Sequence, residues 1–213
     1  SNTPTALGNL IFDKEHGVDP YIEDHGTLWI IHWQLAMNAE FTTTIAWFFN
    51  QCYKAQFDQS ELSAALSNFQ SDNIDRAKRA SEATLKNDVS VLTRLYSKSV
   101  SAKIEEETLD SPLTELGLIT SIGGSKYTST FQNREDLPCE ILGFSILQLM
   151  ASRGLKQMPI EELIRSARGH IAPGAIFRLS ESGFMIKVEE LIRRYPELFI
   201  VDETAGLRQI YIN

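Results

Sequence analysis

Glu23, Asp24, His25 and His32, with His16 a little upstream, are residue types that bind divalent metals, and they crowd around the stretch YIEDHGTLWIIHWQLA, Tyr21 to Ala36. A zinc-like site needs nitrogen and oxygen donors converging on one point. The spacing works against that. His25 and His32 stand two helical turns apart, about 10 Å along an axis, and the chain has no histidine pair at i, i+3 or i+4. The apolar residues of the same stretch tell a different story: Leu28, Ile31, Leu35 and Ala39 recur at helical spacing, and Trp29, Ile30 and Trp33 widen the stripe. A core helix is expected, starting near Gly26-Thr27 with Glu23 and Asp24 at its positive end. It should carry one hydrogen-bonded histidine and no metal.

Cys139 is the second chemical candidate. It follows Pro138 in LPCEIL at an expected helix start, a place where a thiol pKa can fall. A buried structural cysteine fits the apolar surroundings better. There is no phosphate-binding loop, dinucleotide fingerprint, Gly-x-Ser-x-Gly turn or zinc-protease helix. The expectation is therefore no catalytic residue, no cofactor and no enzyme. Cys52 and Cys139 form no spacing pattern, which reads as reduced thiols in the cytoplasm.

The third candidate is electrostatic. The chain carries a formal charge of −8, which argues against indiscriminate nucleic-acid coating. Charge is nonetheless segregated: between Ile74 and Lys103 seven basic residues (Arg76, Lys78, Arg79, Lys86, Arg94, Lys98, Lys103) face three acidic ones (Asp75, Glu82, Asp88), a local balance of +4. Lys86 and Asn87 lie near the front of an expected helix, where base contacts are made, and Arg94 and Lys98 lie where phosphates are reached. Lys126 sits on an expected hairpin. The same pattern also fits a solvated helix face. A possible second contact surface comprises Arg178, Lys187 and Arg208, although Glu190 near Lys187 and Arg194 suits a protein partner better than DNA. The long stretch RGHIAPGAIFRLS, with Arg168 and His170, reads as a binding loop or a plain connector.

The elements that must position these groups follow from periodicity and caps. A helix is expected from Thr42 to Gln56 with Ile45, Phe48, Phe49 and Cys52 inward. Asp58 and Glu61 stand in capping-box spacing ahead of Leu62, Leu66 and Phe69. Leu85, Val89, Leu92 and Tyr96 form a clear seam that leaves Lys86, Asn87, Ser90 and Arg94 outside it. Pro112 and Gly117 bracket a short helix, and Gly123-Gly124 joins two β-prone runs. The order then repeats: a helix over Leu137–Arg153, a short helix opening at Pro159, a helix over Ser180–Tyr195 with Phe184, Val188, Leu191, Ile192 and Tyr195 on one face, and strands LFIVD and LRQIYI. Gln132–Pro138 reads as a linker. The apolar runs Leu28–Met37 and Ile141–Ala151 are too short to span a bilayer. No leader is visible, and Ser1-Asn2 look like a cloning remnant.

GVDPYIEDHGTLWIIHWQL, TLKNDVSVLTRLY, SPLTELGLI and DETAGLRQIYI, in that order, resemble an uncharacterised bacterial family, the domain of unknown function numbered four thousand and seven. The resemblance implies a place in DNA-modification or anti-phage gene clusters, beside phosphorothioation-type proteins. His25 stands where that family usually has proline, and Asn87 where it often has a second basic residue. Family members commonly carry a further N-terminal segment. The expected fold is mainly α, with tandem winged helix-turn-helix-like modules at 1–135 and 136–213 and short β-hairpin wings. The expected function is a non-catalytic subunit that binds double-stranded DNA or adapts protein partners from such a cluster. The alternatives are a protein scaffold without DNA contact, or an accessory enzyme of sulfur transfer or DNA cleavage using Cys139 or the histidines.

Overall fold

The computed structural model describes residues 4–98, 110–166, 170–204 and 206–213. Helix α1 (Ala6–Phe12) is capped by Thr5, and α2 (His25–Met37) by Asp24, whose carboxylate accepts from the Gly26 amide at 2.6 Å. The helices α3 (Thr43–Gln51) and α4 (Gln59–Asn73) are separated by strand β1 (Gln56–Asp58). Asp58 and Glu61 form the reciprocal capping box that their spacing indicates, at 2.8 and 3.1 Å. Helix α5 (Glu82–Tyr96) follows, then a 3-10 turn at Pro112–Leu116 ended by left-handed Gly117, and the hairpin β2 (Thr120–Gly123) and β3 (Lys126–Thr128). The second half runs α6 (Cys139–Arg153), β4 (Gln157–Pro159), α7 (Ile160–Ile164), α8 (Pro173–Ile176), α9 (Glu181–Arg194), β5 (Phe199–Thr204) and β6 (Leu207–Ile212).

The molecule is mixed α/β. Two three-stranded antiparallel sheets are present, ordered β1-β3-β2 and β4-β6-β5. This corrects the mainly α expectation: each expected hairpin acquires a third strand from the chain between two helices. Those strands, β1 and β4, are three residues long. That is too short for an alternating pattern, and Pro159 further disguises β4, where an edge position tolerates it. For the same reason α3 stops five residues before the expected Gln56, and the chain there turns to pair with β3.

One continuous core joins both halves, and α2 runs through it. Leu28, Trp29, Trp33 and Ala36 are buried, as the apolar stripe requires. Helix α2 packs on α3, the Pro112–Leu116 turn, α6 and α8. The Trp33 indole donates to Gln148 Oε1 at 2.7 Å, and Trp29 meets Phe177 edge-on at 5.7 Å. RGHIAPGAIFRLS is no surface loop where it is described: residues 172 to 179 are buried and include α8. Gln132–Pro138 is likewise strapped down. The Gln132 amide donates to the Arg178 carbonyl at 2.9 Å, and the Ser180 amide to the Gln132 carbonyl at 2.8 Å.

Candidate nucleic-acid interface

Helix α5 supplies the centre of the site. Ser81 caps it, accepting from the Thr84 amide, and Leu85, Val89, Leu92 and Tyr96 bury one face. That anchoring forces Lys86, Asn87 and Arg94 outward, and all three are exposed. Lys126 is exposed on β3, opposite Asp58 and Gly123 in the sheet. Among the described residues none forms an ion pair with Lys86, Arg94 or Lys126. Lys98, by contrast, is held by Glu115 at 3.0 Å.

The C-terminal half of α5 and the hairpin enclose an open groove of about 700 Å³. Arg94, Ser97, Lys98, Ser111, Ser121 and Tyr127 line it, and the hairpin turn at Gly123–Ser125 closes one side. Arg94 and the hairpin thus share one concavity, with Lys126 the next residue along. Lys86 and Asn87 lie on the same helix about 12 Å nearer its start. Arg76, Lys78 and Arg79, in the stretch before α5, are all exposed, and Arg79 also donates to the Ser71 and Ile74 carbonyls at the end of α4. The run of basic residues had signalled all three, but not that a backbone would take up one of them. Lys103 lies outside the described residues.

The second contact surface needs correction. Arg178 is 1% exposed and Lys187 7%. Arg178 donates through Nε to Ser129 Oγ at 3.1 Å and through Nη2 to the Phe48 carbonyl at 3.0 Å. Burial lowers its guanidinium pKa to about 10. Lys187 reaches the Glu135 carbonyl at 3.3 Å. Arg208 is partly exposed but lies 3.4 Å from Glu161 and 3.9 Å from Glu181. Long basic side chains on apolar seams bury their stems, which a reading by charge alone misses. Arg168 lies outside the described residues.

Of the other chemical candidates, His32 and Cys139 are buried in the core. His32 is fully buried. Its Nε2 lies 2.9 Å from the Ile176 carbonyl and its Nδ1 2.8 Å from Tyr96 Oη. A carbonyl only accepts, so Nε2 carries the proton and Tyr96 donates to Nδ1. Burial drives the His32 pKa down to about 3, so the ring is neutral. His25 stands 3.8 Å from Asp136 and His16 3.5 Å from Asp13. Among the described residues no group of three or more His, Cys, Asp or Glu could hold a metal ion. Cys139 is 1% exposed, and its thiol is pushed up to about 11 by burial and then by Glu140. The lowering that a helix start can provide is outweighed.

The chain belongs to the family described as protein of unknown function (DUF4007), whose pattern matches residues 1–213. Comparison with curated proteins gave no match. Two solved structures share the fold. A magnesium ion-bound crystal structure of SspB superposes with a TM-score of 0.81 at 23% identity, covering 100% of this chain and 64% of that one. A second SspB crystal structure gives 0.80 at 24% identity, with 99% and 62% covered. The chain thus spans a little under two thirds of the SspB chains it matches. Among the described residues no helix is long and apolar enough to cross a membrane.

Proposed function

We propose that the chain is a cytoplasmic subunit of a bacterial DNA-modification or anti-phage system of the phosphorothioation kind, and that it binds duplex DNA through α5 and the β2–β3 hairpin. In this reading the chain divides at residues 135/136 into two winged helices. The first half runs helix, strand, helix, helix, hairpin, the second half inserts the short α8 as a third helix before α9, and in both the first strand pairs with the last, which supports the assignment. Helix α5 enters the major groove and the hairpin meets the adjacent backbone. The observation that carries the proposal is that Lys86, Arg94 and Lys126, free of ion pairs among the described residues, are exposed on α5 and its hairpin in a chain with net charge −8, with Arg94 and the hairpin turn lining one groove. The equivalent helix of the second half, α9, turns Ile186 and Glu189 outward and buries Lys187. That half is the adaptor, facing protein. The family membership and the likeness to SspB support the setting.

The test is duplex binding followed between about 50 and 200 mM salt. The wild type should bind with a salt-sensitive constant. The Lys86→Ala/Arg94→Ala double variant should lose affinity on every sequence and about two units of salt slope. Binding unchanged in that variant removes the proposal. The chain is proposed to bind and not to cut. Nicking of supercoiled plasmid in magnesium, lost in the same double variant, would instead make it an enzyme.

A further inference from the structure

Arg178 is an unusual core residue. It has no carboxylate partner among the described residues, its Nη1 has no hydrogen-bond partner, and its backbone sits in the left-handed region at φ 52°. Burying an unpaired charge opposes folding, and an apolar side chain of similar volume is often no less stabilising. What the guanidinium supplies is reach. Its Nε bonds Ser129, its Nη2 bonds the Phe48 carbonyl on α3, and its Cζ lies 4.9, 5.3 and 5.0 Å from the ring centres of Phe48, Phe49 and Phe131. Its own carbonyl accepts from the Gln132 amide. One residue of the second half therefore grips the chain leaving β3 at Ser129, Phe131 and Gln132. Arg134 holds Thr130 between them, through Nη2 at 3.2 Å. Lys126 lies three residues before Ser129, about 10 Å along an extended strand.

We infer that Arg178 is a positioning residue that sets the hairpin, and with it Lys126, at a defined place relative to α5. It links the adaptor half to the DNA-facing half. The inference rests on the proposed DNA contact only for its consequence in binding, because the geometry can be read without DNA. Arg178→Met keeps the contact with the aromatic rings, removes both side-chain bonds, and leaves the Phe48 carbonyl its bond from the Cys52 amide. Ser129→Ala removes one bond and should fold in any case.

The first readout is the distance distribution between spin labels placed by Val91→Cys on α5 and Lys126→Cys on the hairpin. It should be narrow in the otherwise unaltered protein and broaden in both Arg178→Met and Ser129→Ala. The second is the salt slope of duplex binding in unlabelled protein. It should fall by about one unit in Arg178→Met, as in Lys126→Ala. The Arg178→Met/Lys126→Ala double variant should bind within about twofold of either single variant, since both act on one contact. A lowered melting temperature with an unbroadened distribution in Ser129→Ala, or binding effects that multiply, would make Arg178 a core residue only. If the wild type does not bind duplex DNA but the distribution broadens, the positioning role stands and the DNA reading falls.

Discussion

Acidification should destabilise this protein through one buried ring. His32 is neutral in the native state with a pKa near 3, against 6.5 for the free side chain. Between those values the unfolded chain binds a proton that the native protein refuses, so stability falls as pH falls. The contribution is complete above about pH 6.5, is lost at up to about 1.4 kcal/mol per pH unit below it, and levels off near pH 3. From neutral pH to about pH 4.5 the loss is about 2–3 kcal/mol, a large part of a typical folding free energy of about 5–15 kcal/mol. Protonation also makes Nδ1 a donor, so the Tyr96 hydroxyl must turn from donating to accepting and its own proton loses the ring nitrogen as its acceptor. Asp19 and Glu61, whose pKa values are lowered by their hydrogen bonds, add to the loss only at still lower pH. Urea unfolding followed by tryptophan fluorescence at several pH values measures the slope. His32→Gln retains a donor for the Ile176 carbonyl without a titrating group, so it should be less stable at neutral pH and flat where the wild type slopes. A wild-type free energy that is level from about pH 6.5 to 4.5, or an equal slope in His32→Gln, would rule out His32 as the group responsible.

Trp29→Ala removes a fully buried indole from the helix shared by both halves and should cost about 3–5 kcal/mol, seen as a lowered urea midpoint. Cys139→Ser places a hydroxyl among apolar side chains and should cost about 1–3 kcal/mol, while DNA modification by the proposed parent system persists at permissive temperature. Abolished modification by a fully folded variant would assign the thiol a chemical task. Asn87→Ala should leave stability unchanged and relax base preference at one position by about 1–3 kcal/mol, with adenine the base affected, read from binding to a panel of duplexes.

Elements with sustained periodicity or a cap were legible in the sequence. Leu85, Val89, Leu92 and Tyr96 mark α5 and so determine which way Lys86 and Arg94 point, and Asp58 with Glu61 marks the start of α4. The opening stretch, rich in His, Trp and carboxylate, resolves into a helix whose histidine is paid for by two hydrogen bonds. Hidden were features decided by distant partners. β1 and β4 exist because β3 and β6 offer them edges, and three residues carry no pattern of their own. Arg178 and Lys187 look like surface charges until the chains that bury them are in place: their partners are the Phe48 carbonyl and Ser129 in one case and the Glu135 carbonyl in the other. Backbone carbonyls accept hydrogen bonds whatever the residue type, so no spacing rule announces them.

Helix α5 and its hairpin are proposed to touch DNA, and a lysine-reactivity footprint tests that most directly. Lys14, Lys86, Lys126 and Lys156 are all exposed in the free protein. Mild acetylation read by mass spectrometry, with and without a saturating duplex, should show Lys86 and Lys126 protected and Lys14 and Lys156 labelled as before. Unchanged labelling of Lys86 and Lys126 under saturation, or protection at Lys156 in their place, would contradict the assignment of α5 and its hairpin to DNA.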